Sequence, residues 1–223
     1  MATLRIDRQV DRLVDRLLAS PSPAISPGRA VALATVLSLL YGVVMGTFSG
    51  VWDGRTLQLF YSAVKVPLLL LVTGGIALPS FFVLNVLAGA ASDFREVMRA
   101  QVAAQAGMSV VLISMAPLTF FWYASSNGYA SAILVNAACF GVASLSGQAL
   151  LRRYYRPLEA RRPVHRLLRR TWIFIYAFVG IQMGWVLRPF IGQPGSAEQF
   201  FREGAWGNAY VEVLKKVAEV FGG

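Results

Sequence analysis

The sequence predicts an all-α, polytopic membrane protein: a transmembrane helical bundle with about five spans and an amphipathic helix at each end. Of its 223 residues, 56% are hydrophobic and only 14% are charged, whereas soluble domains carry about 25% charged residues. The hydrophobic residues are concentrated in runs long enough to cross a hydrocarbon core about 30 Å thick. Most arginines flank these runs, so the net charge of +10 indicates membrane topology and contact with anionic headgroups, and not nucleic-acid binding.

Three parts are expected along the chain. Residues 1–26 should form a cytoplasmic amphipathic helix with a linker rich in proline and serine, and residues 27–192 the transmembrane bundle. Residues 193–223 should form a non-cytoplasmic tail, with an amphipathic helix over residues 197–221. The spans are expected at residues 30–50, 57–89, 102–123, 129–151 and 172–191.

Two of the spans contain helix-disrupting residues. The apolar stretch 57–91 is too long for one straight span and contains Pro67 and Pro79. We interpret it as one kinked or broken span, with a re-entrant pair of short spans as the alternative. Pro117 is expected to kink the third span.

The counts of arginine and lysine set the orientation. With five spans and the N-terminus inside, the inner segments hold 15 of these residues and the outer segments hold four. Positive charge is enriched in cytoplasmic segments. The expected location is therefore a bacterial cytoplasmic membrane, with the N-terminus in the cytoplasm and the C-terminus in the periplasm.

The densest positive charge lies in residues 152–170, between the fourth and fifth spans. Eight arginines accompany a single acidic residue, Glu159. Pro157 and Pro163 argue against one continuous helix through this segment. At a bilayer surface such a segment should contact lipid phosphates or a partner protein. The arginines assigned to this contact are Arg152, Arg153, Arg156, Arg161, Arg162, Arg166, Arg169 and Arg170.

Polar residues within the expected spans are further candidates for function, because their burial in a membrane is costly. Lys65 lies early in the second span, while Gln182 and Arg188 lie in the fifth. The simpler interpretation is that Lys65 and Arg188 extend to the outer interface. Because both should lie at a similar depth, the functional interpretation is a site for an anion, an acidic headgroup or an acidic partner.

Glycines spaced four residues apart mark two faces for close helix packing. Gly42, Gly46 and Gly50 form one such face in the first span, and Gly180 and Gly184 form another in the fifth. Packing within the chain is favoured over dimerisation. Asn85 and Asn136 are expected to hydrogen-bond to other helices in a packing role.

The sequence offers little for catalysis. The single histidine, His165, is interpreted as solvated or facing headgroups, and the single cysteine, Cys139, as a packing residue. No metal-ligand cluster, phosphate-binding loop or nucleophile motif is present. Asp93 and Glu96 are the only carboxylates close together in a loop expected on the inner side. We therefore expect no enzymatic activity, no cofactor and no metal.

Five segments carry a resemblance to a known family: KVPLLLLVTGGIALPSFFVLNVLAG (65–89), DFREVMR (93–99), SNGYASAILVN (126–136), YAFVGIQMGWVLRPFIGQPG (176–195) and FFREGAWGNAYVEVLKKV (200–217). In these segments the chain resembles a group of bacterial five-span membrane proteins of no established activity. Automated naming has given some of that group an actin-binding label, which nothing in this sequence supports. The proline-marked second span and the DFRE segment are also similar to the Yip-type five-span family. The resemblance implies a five-span fold and no particular activity.

Three functions are compatible with the sequence. The first is a non-enzymatic accessory, scaffold or anchoring subunit of a larger membrane complex, with other membrane proteins as partners. The alternative is a small oligomeric transporter, channel or lipid-handling protein with an anion or headgroup site near Lys65 and Arg188. The third is an enzyme acting on lipids, supported only by Asp93 and Glu96.

Overall fold

Every regular element in the described part of the chain is a helix. The computed structural model describes residues 23, 25–50, 56–126, 128–192, 195–202 and 204–211. The helices are α1 (Pro27–Gly50), α2 (Thr56–Leu87), a 3-10 helix (Ala91–Asp93), α3 (Phe94–Ser114), α4 (Ala116–Ser125), α5 (Tyr129–Arg161) and α6 (Val164–Val186). The predicted all-α class is therefore confirmed. The expected N-terminal helix lies outside the described residues, as do tail residues 212–223.

Four helical stretches are long and apolar enough to cross a membrane. They are Pro27–Phe48 of α1, the whole of α2, the stretch Ala91–Ser125 through α3 and α4, and the whole of α5. Large apolar side chains on these helices point away from the bundle, with Phe121 68% and Leu134 69% exposed. Such exposure fits a hydrocarbon environment, because lipid covers apolar surface as well as a protein core does. Helix α6 is not among these four.

The helices run alternately between two ends of the bundle. Lys65, near the start of α2, contacts Pro189, which follows the end of α6. Asp93, after the end of α2, contacts His165 at the start of α6. Helices α2 and α6 are therefore antiparallel. We call the two ends of the bundle the Arg188 end and the Asp93 end.

The long apolar stretch forms one continuous helix, and neither a broken span nor a re-entrant pair. Helix α2 has 32 residues, with Pro67 and Pro79 inside it. At 1.5 Å per residue this helix is about 48 Å long, which exceeds the hydrocarbon thickness. Neighbouring helices can compensate for the backbone hydrogen bond that an internal proline removes. Pro67 itself is buried against the bundle.

The other prolines have different effects. The third expected span is divided at Met115, and Pro117 lies in the first turn of α4. As expected, the segment is not one continuous helix: α5 continues through Pro157 and ends at Arg161, and Pro163 immediately precedes α6. The basic segment is therefore not a loop but two helix ends joined by a short turn.

Close packing of α1 against α2 involves the first glycine face. A Cβ atom on Gly42 would lie 2.5 Å from the Ser62 carbonyl oxygen, and one on Gly46 would lie 2.7 Å from the Leu59 Cα. Neither distance is possible for a real side chain, so only glycine permits this helix separation. A Cβ on Gly180 would make an ordinary 3.5 Å contact with Thr73, and one on Gly184 would meet nothing within 4 Å.

A buried hydrogen-bond network joins α1, α4 and α5. The Tyr41 hydroxyl donates to Asn136 Oδ1 at 3.1 Å and lies 3.3 Å from the Thr119 hydroxyl. The Asn136 amide also donates to the hydroxyl of Tyr123. Asn85, by contrast, donates to the Phe81 carbonyl of its own helix. Asn136 thus links helices, while the Asn85 amide makes a local hydrogen bond.

The chain after α6 turns back over the Arg188 end. Residues 195–202 and 204–208 form turns and bends, and helix resumes only at residues 209–211. The helix expected from residue 197 is therefore wrong over these residues. Gly195 and Gly204 have φ angles of 76° and 71°. Such angles favour glycine and interrupt a helix.

Candidate functional site

The Asp93 end is held together by ion pairs. His165 is fully buried, and its Nε2 lies 2.9 Å from Asp93 Oδ2. Arg162 donates to the Gly89 carbonyl oxygen at 2.8 Å and lies 3.8 Å from the same carboxylate. The interpretation of His165 as a solvated side chain is therefore wrong, because the ring is buried and its Nε2 pairs with Asp93, while its buried Nδ1 has no hydrogen-bond partner among the described residues.

Several arginines of the basic segment also form ion pairs within the chain. Arg161 binds Glu96, and Arg169 and Arg166 lie 2.8 Å and 3.6 Å from the two Glu159 oxygens. These contacts tie the last turn of α5 to α3 and to α6. The Asp93 and Glu96 carboxylates are thus occupied by cationic partners. The exposed arginines of the segment that form no ion pair with a described residue are Arg152, Arg156 and Arg170.

Lys65 is fully buried and bonds to backbone carbonyl groups. Its Nζ donates to the Pro189 oxygen at 2.6 Å and to the Gln199 oxygen at 3.5 Å. The ammonium also lies 5.0 Å from the centroid of the Phe200 ring. The expected extension to the interface is not observed, because these carbonyl groups satisfy the charge inside the protein. Lys65 therefore fixes the segment that follows α6.

Two further side chains of α2 fix the same segment. The Phe190 carbonyl oxygen accepts hydrogen bonds from Ser62 and, at 3.4 Å, from Gln58. Together with Lys65, these side chains bind two consecutive carbonyl groups directly after Arg188. The position of the Arg188 backbone is therefore set by α2.

Gln182 anchors the returning chain farther along. Its amide donates to the Gly207 carbonyl oxygen at 3.0 Å and accepts from the Ala209 backbone N–H at 3.0 Å. Tyr210 stacks on Phe178 with ring centroids 4.6 Å apart. The polar residue predicted in the fifth span therefore pairs with backbone groups of the tail.

Arg188 lies beside a second arginine that no sequence pattern singles out. The guanidinium carbon of Arg188 is 3.4 Å from the centroid of the Trp185 ring, and that of Arg202 is 4.5 Å from it. Cations gain from this position because the aromatic face is electronegative. The buried Nε and Nη2 of Arg188 and the buried Nε of Arg202 have no hydrogen-bond partner among the described residues.

A cavity of about 690 Å³ opens beside these two arginines. Its lining includes Arg188 and Arg202, with Gln58, Asn136 and Gln199 contributing neutral polar groups. Among the described residues no carboxylate lines it; Glu198 belongs to the same segment but does not line the cavity. Buried guanidinium donors are normally paired, and an unpaired one is costly. The lining is therefore complementary to an acidic group.

The chemistry available here is binding of an anion. A guanidinium fork can donate two hydrogen bonds to a phosphate or carboxylate. Over the described residues there is no group of three or more His, Cys, Asp or Glu side chains that could hold a metal ion. Lys65 binds the carbonyl oxygen of Pro189, the residue after Arg188, but does not line the cavity. The predicted pair of cations was Lys65 and Arg188. Arg188 does line the cavity, but the second cation there is Arg202.

Part of this site had a signal in the sequence. Arg188 is a candidate from the sequence because it lies in the expected fifth span, but its contact with Trp185 forms beyond the last residue of α6, Val186, where helical spacing no longer applies. Arg202 lies in the returning segment, whose path depends on Lys65 and Gln182, so its approach could not be predicted. No family model matches the chain, and no match was found among curated proteins or solved structures.

Proposed function

We propose that the protein is a lipid-handling membrane protein that binds an acidic headgroup at the Arg188 end of its bundle. It has five spans, because α6 runs antiparallel to α2 over a similar depth. Its N-terminus is cytoplasmic, which places the Arg188 end at the periplasmic face of a bacterial cytoplasmic membrane. The positive-inside rule supports this orientation, since the arginine-rich ends of α5 and α6 lie at the Asp93 end.

One observation carries the proposal: Arg188 and Arg202 present buried, unpaired N–H donors beside a cavity with no lining carboxylate among the described residues. A headgroup phosphate would accept these hydrogen bonds. Lys65 holds the backbone next to Arg188 in place. The site therefore differs from an unspecific basic surface, whose side chains are exposed. At the opposite end, the exposed Arg152, Arg156 and Arg170 are proposed to contact anionic headgroups in a less selective way.

The test compares anionic with zwitterionic lipid. Purified protein in nanodiscs of phosphatidylcholine is titrated with phosphatidylglycerol, and retained lipid is counted by native mass spectrometry. We expect saturable retention of one phosphatidylglycerol per chain, lost in the Arg188→Gln, Arg202→Gln double variant. The matched control is Arg156→Gln, Arg170→Gln, which removes two exposed charges at the other end and should retain the lipid. Equal retention in all variants would contradict the proposal.

A second candidate is the accessory, scaffold or anchoring subunit. It is favoured by an aromatic cluster in the returning segment, where the Phe201 and Trp206 rings lie 5.4 Å apart and Trp206 is 78% exposed. Such residues are enriched where proteins meet partners. Gentle purification of the tagged native protein tests this: a membrane protein recovered at a fixed ratio, and lost in Trp206→Ser, supports it. Recovery of the chain alone would contradict it.

A further inference from the structure

A second cavity, of about 320 Å³, lies between α2, α3, α5 and α6, and we call it the deep cavity because it lies farther from the Arg188 end than the first. Leu70, Met108, Leu151 and Ile173 contribute apolar surface to it. No charged residue lines it among those that the structure describes, although Thr73 and several glutamines add neutral polar groups. An apolar space of this kind is suited to hydrocarbon, and its few polar groups could orient a ligand.

The two cavities are neighbours. Leu69 of α2 and Phe140 of α5 line both of them. Along α6, the deep cavity extends from Ile181 towards the Asp93 end, as far as Trp172. At 1.5 Å per residue, it begins roughly 10 Å from Arg188 and extends a further ~14 Å. A ligand with an extended chain could therefore occupy both.

We infer that the ligand is an anionic amphiphile whose acidic group binds Arg188 and Arg202 and whose hydrocarbon chain occupies the deep cavity. This inference rests on the proposed function and adds the chemical class of the chain. The change in lining, from two guanidinium groups to side chains without charge, matches the two parts of such a molecule. A free anion such as inorganic phosphate would use only the first cavity.

The chain should contribute to affinity through burial. Each additional CH₂ group that enters the deep cavity should tighten binding about fourfold, the equivalent of its transfer free energy. Longer chains also partition more strongly into the bilayer. The contribution of the cavity must therefore be separated from this partitioning. A variant that fills the cavity makes this separation, because it leaves the bilayer unchanged.

Gly180 offers such a variant with a matched control one helical turn away. It lines the deep cavity, and a Cβ placed on it would contact Thr73 of the same lining at 3.5 Å. Leucine at this position would therefore project into the cavity. Gly184 lies four residues on in α6 and does not line the cavity, and a Cβ placed on it would have nothing within 4 Å. Gly184→Leu thus adds the same side chain to the same helix without filling the cavity.

The experiment measures binding of inorganic phosphate, butyl phosphate and dodecyl phosphate to the full chain in phosphatidylcholine nanodiscs. We expect dodecyl phosphate to bind at least tenfold more weakly to Gly180→Leu than to the native chain, with Gly184→Leu unaffected and butyl phosphate insensitive to both. Equal dodecyl phosphate affinity for Gly180→Leu and the native chain overturns the inference, while the proposed headgroup site survives. Insensitivity of every probe to the Arg188→Gln, Arg202→Gln double variant overturns both.

A measurement on the native chain covers the case in which Gly180→Leu fails to fold. Dodecyl phosphate carrying a photoreactive diazirine at its far end is cross-linked to the protein, and the labelled peptides are mapped. Labels on Met108 or Leu151 support the inference, since both line the deep cavity. Labels confined to Phe174 and Phe178, which are exposed on the outside of α6, overturn it.

Discussion

Two buried polar side chains, Lys65 and Gln182, determine the path of the chain after α6. Lys65 binds the Pro189 and Gln199 carbonyl oxygens, and Gln182 binds Gly207 and Ala209. Each contact satisfies backbone groups that would otherwise be unpaired in apolar surroundings. The cost of burying these two polar side chains is thereby offset, and the returning segment, which includes Arg202, gains a defined position.

Replacing Lys65 by methionine should release the first part of this segment. Loss of the ammonium leaves the partly buried Pro189 carbonyl without its donor, which costs about 1–3 kcal/mol. We expect hydrogen–deuterium exchange to rise over residues 195–202, while residues 207–211 change little. The control is Gln182→Met, which should give the reverse pattern because it removes the other contact. The same exchange profile in both variants would show that the two side chains do not act locally.

The close contact between α1 and α2 depends on the absence of side chains at Gly42 and Gly46. Gly42→Ala should push the helices apart, because the new methyl group would overlap the Ser62 backbone. Overpacking of this kind typically costs about 1–3 kcal/mol. We expect a lower thermal unfolding midpoint in mild detergent.

The control for this prediction is Gly141→Ala in α5, where a Cβ meets nothing within 4 Å. That substitution should leave the midpoint unchanged or raise it slightly, since alanine favours a helix over glycine. An equal loss of stability in both variants would indicate a general intolerance of substitution in place of a close α1–α2 contact.

At the level of elements, periodicity and apolar length were sufficient to predict most helices. The exceptions depend on contacts between residues that are distant in sequence. Pro157 sits inside α5 because tertiary contacts, including the Arg161–Glu96 ion pair, stabilise the turn that follows it. His165 is buried because Asp93, 72 positions away in sequence, meets it across the bundle. Contacts of that range cannot be read from helix-forming patterns.

Considered as a whole, the molecule has one end rich in paired ionic groups and one end with unpaired cations among its described residues. The Asp93 end pairs Arg161, Arg162 and Arg169 with carboxylates of the same chain. The Arg188 end lacks such carboxylate partners along its cavity lining. The sequence offered, as an alternative, an anion or headgroup site near Lys65 and Arg188; Lys65 does not line the cavity, and the pairing of Arg188 with Arg202 and the two adjoining cavities depend on tertiary structure.

The membrane topology can be tested with single cysteines in a chain that carries Cys139→Ala. An impermeant maleimide added to intact spheroplasts should label cysteine in the variants Ser125→Cys and Gly195→Cys. Labelling in Ser92→Cys and Arg170→Cys should require lysis. The decisive comparison is between positions 170 and 195, which flank most of α6. Equal labelling of these two positions before lysis would contradict a fifth span.

The proposed headgroup site can be observed in an experimental structure of the protein in nanodiscs that contain phosphatidylglycerol. We expect headgroup density within hydrogen-bond distance of the Arg188 and Arg202 guanidinium groups, with a hydrocarbon chain running past Leu69 and Phe140 into the deep cavity. A cavity that holds only water, with both guanidinium groups paired to carboxylates of the chain such as Glu198, would contradict it.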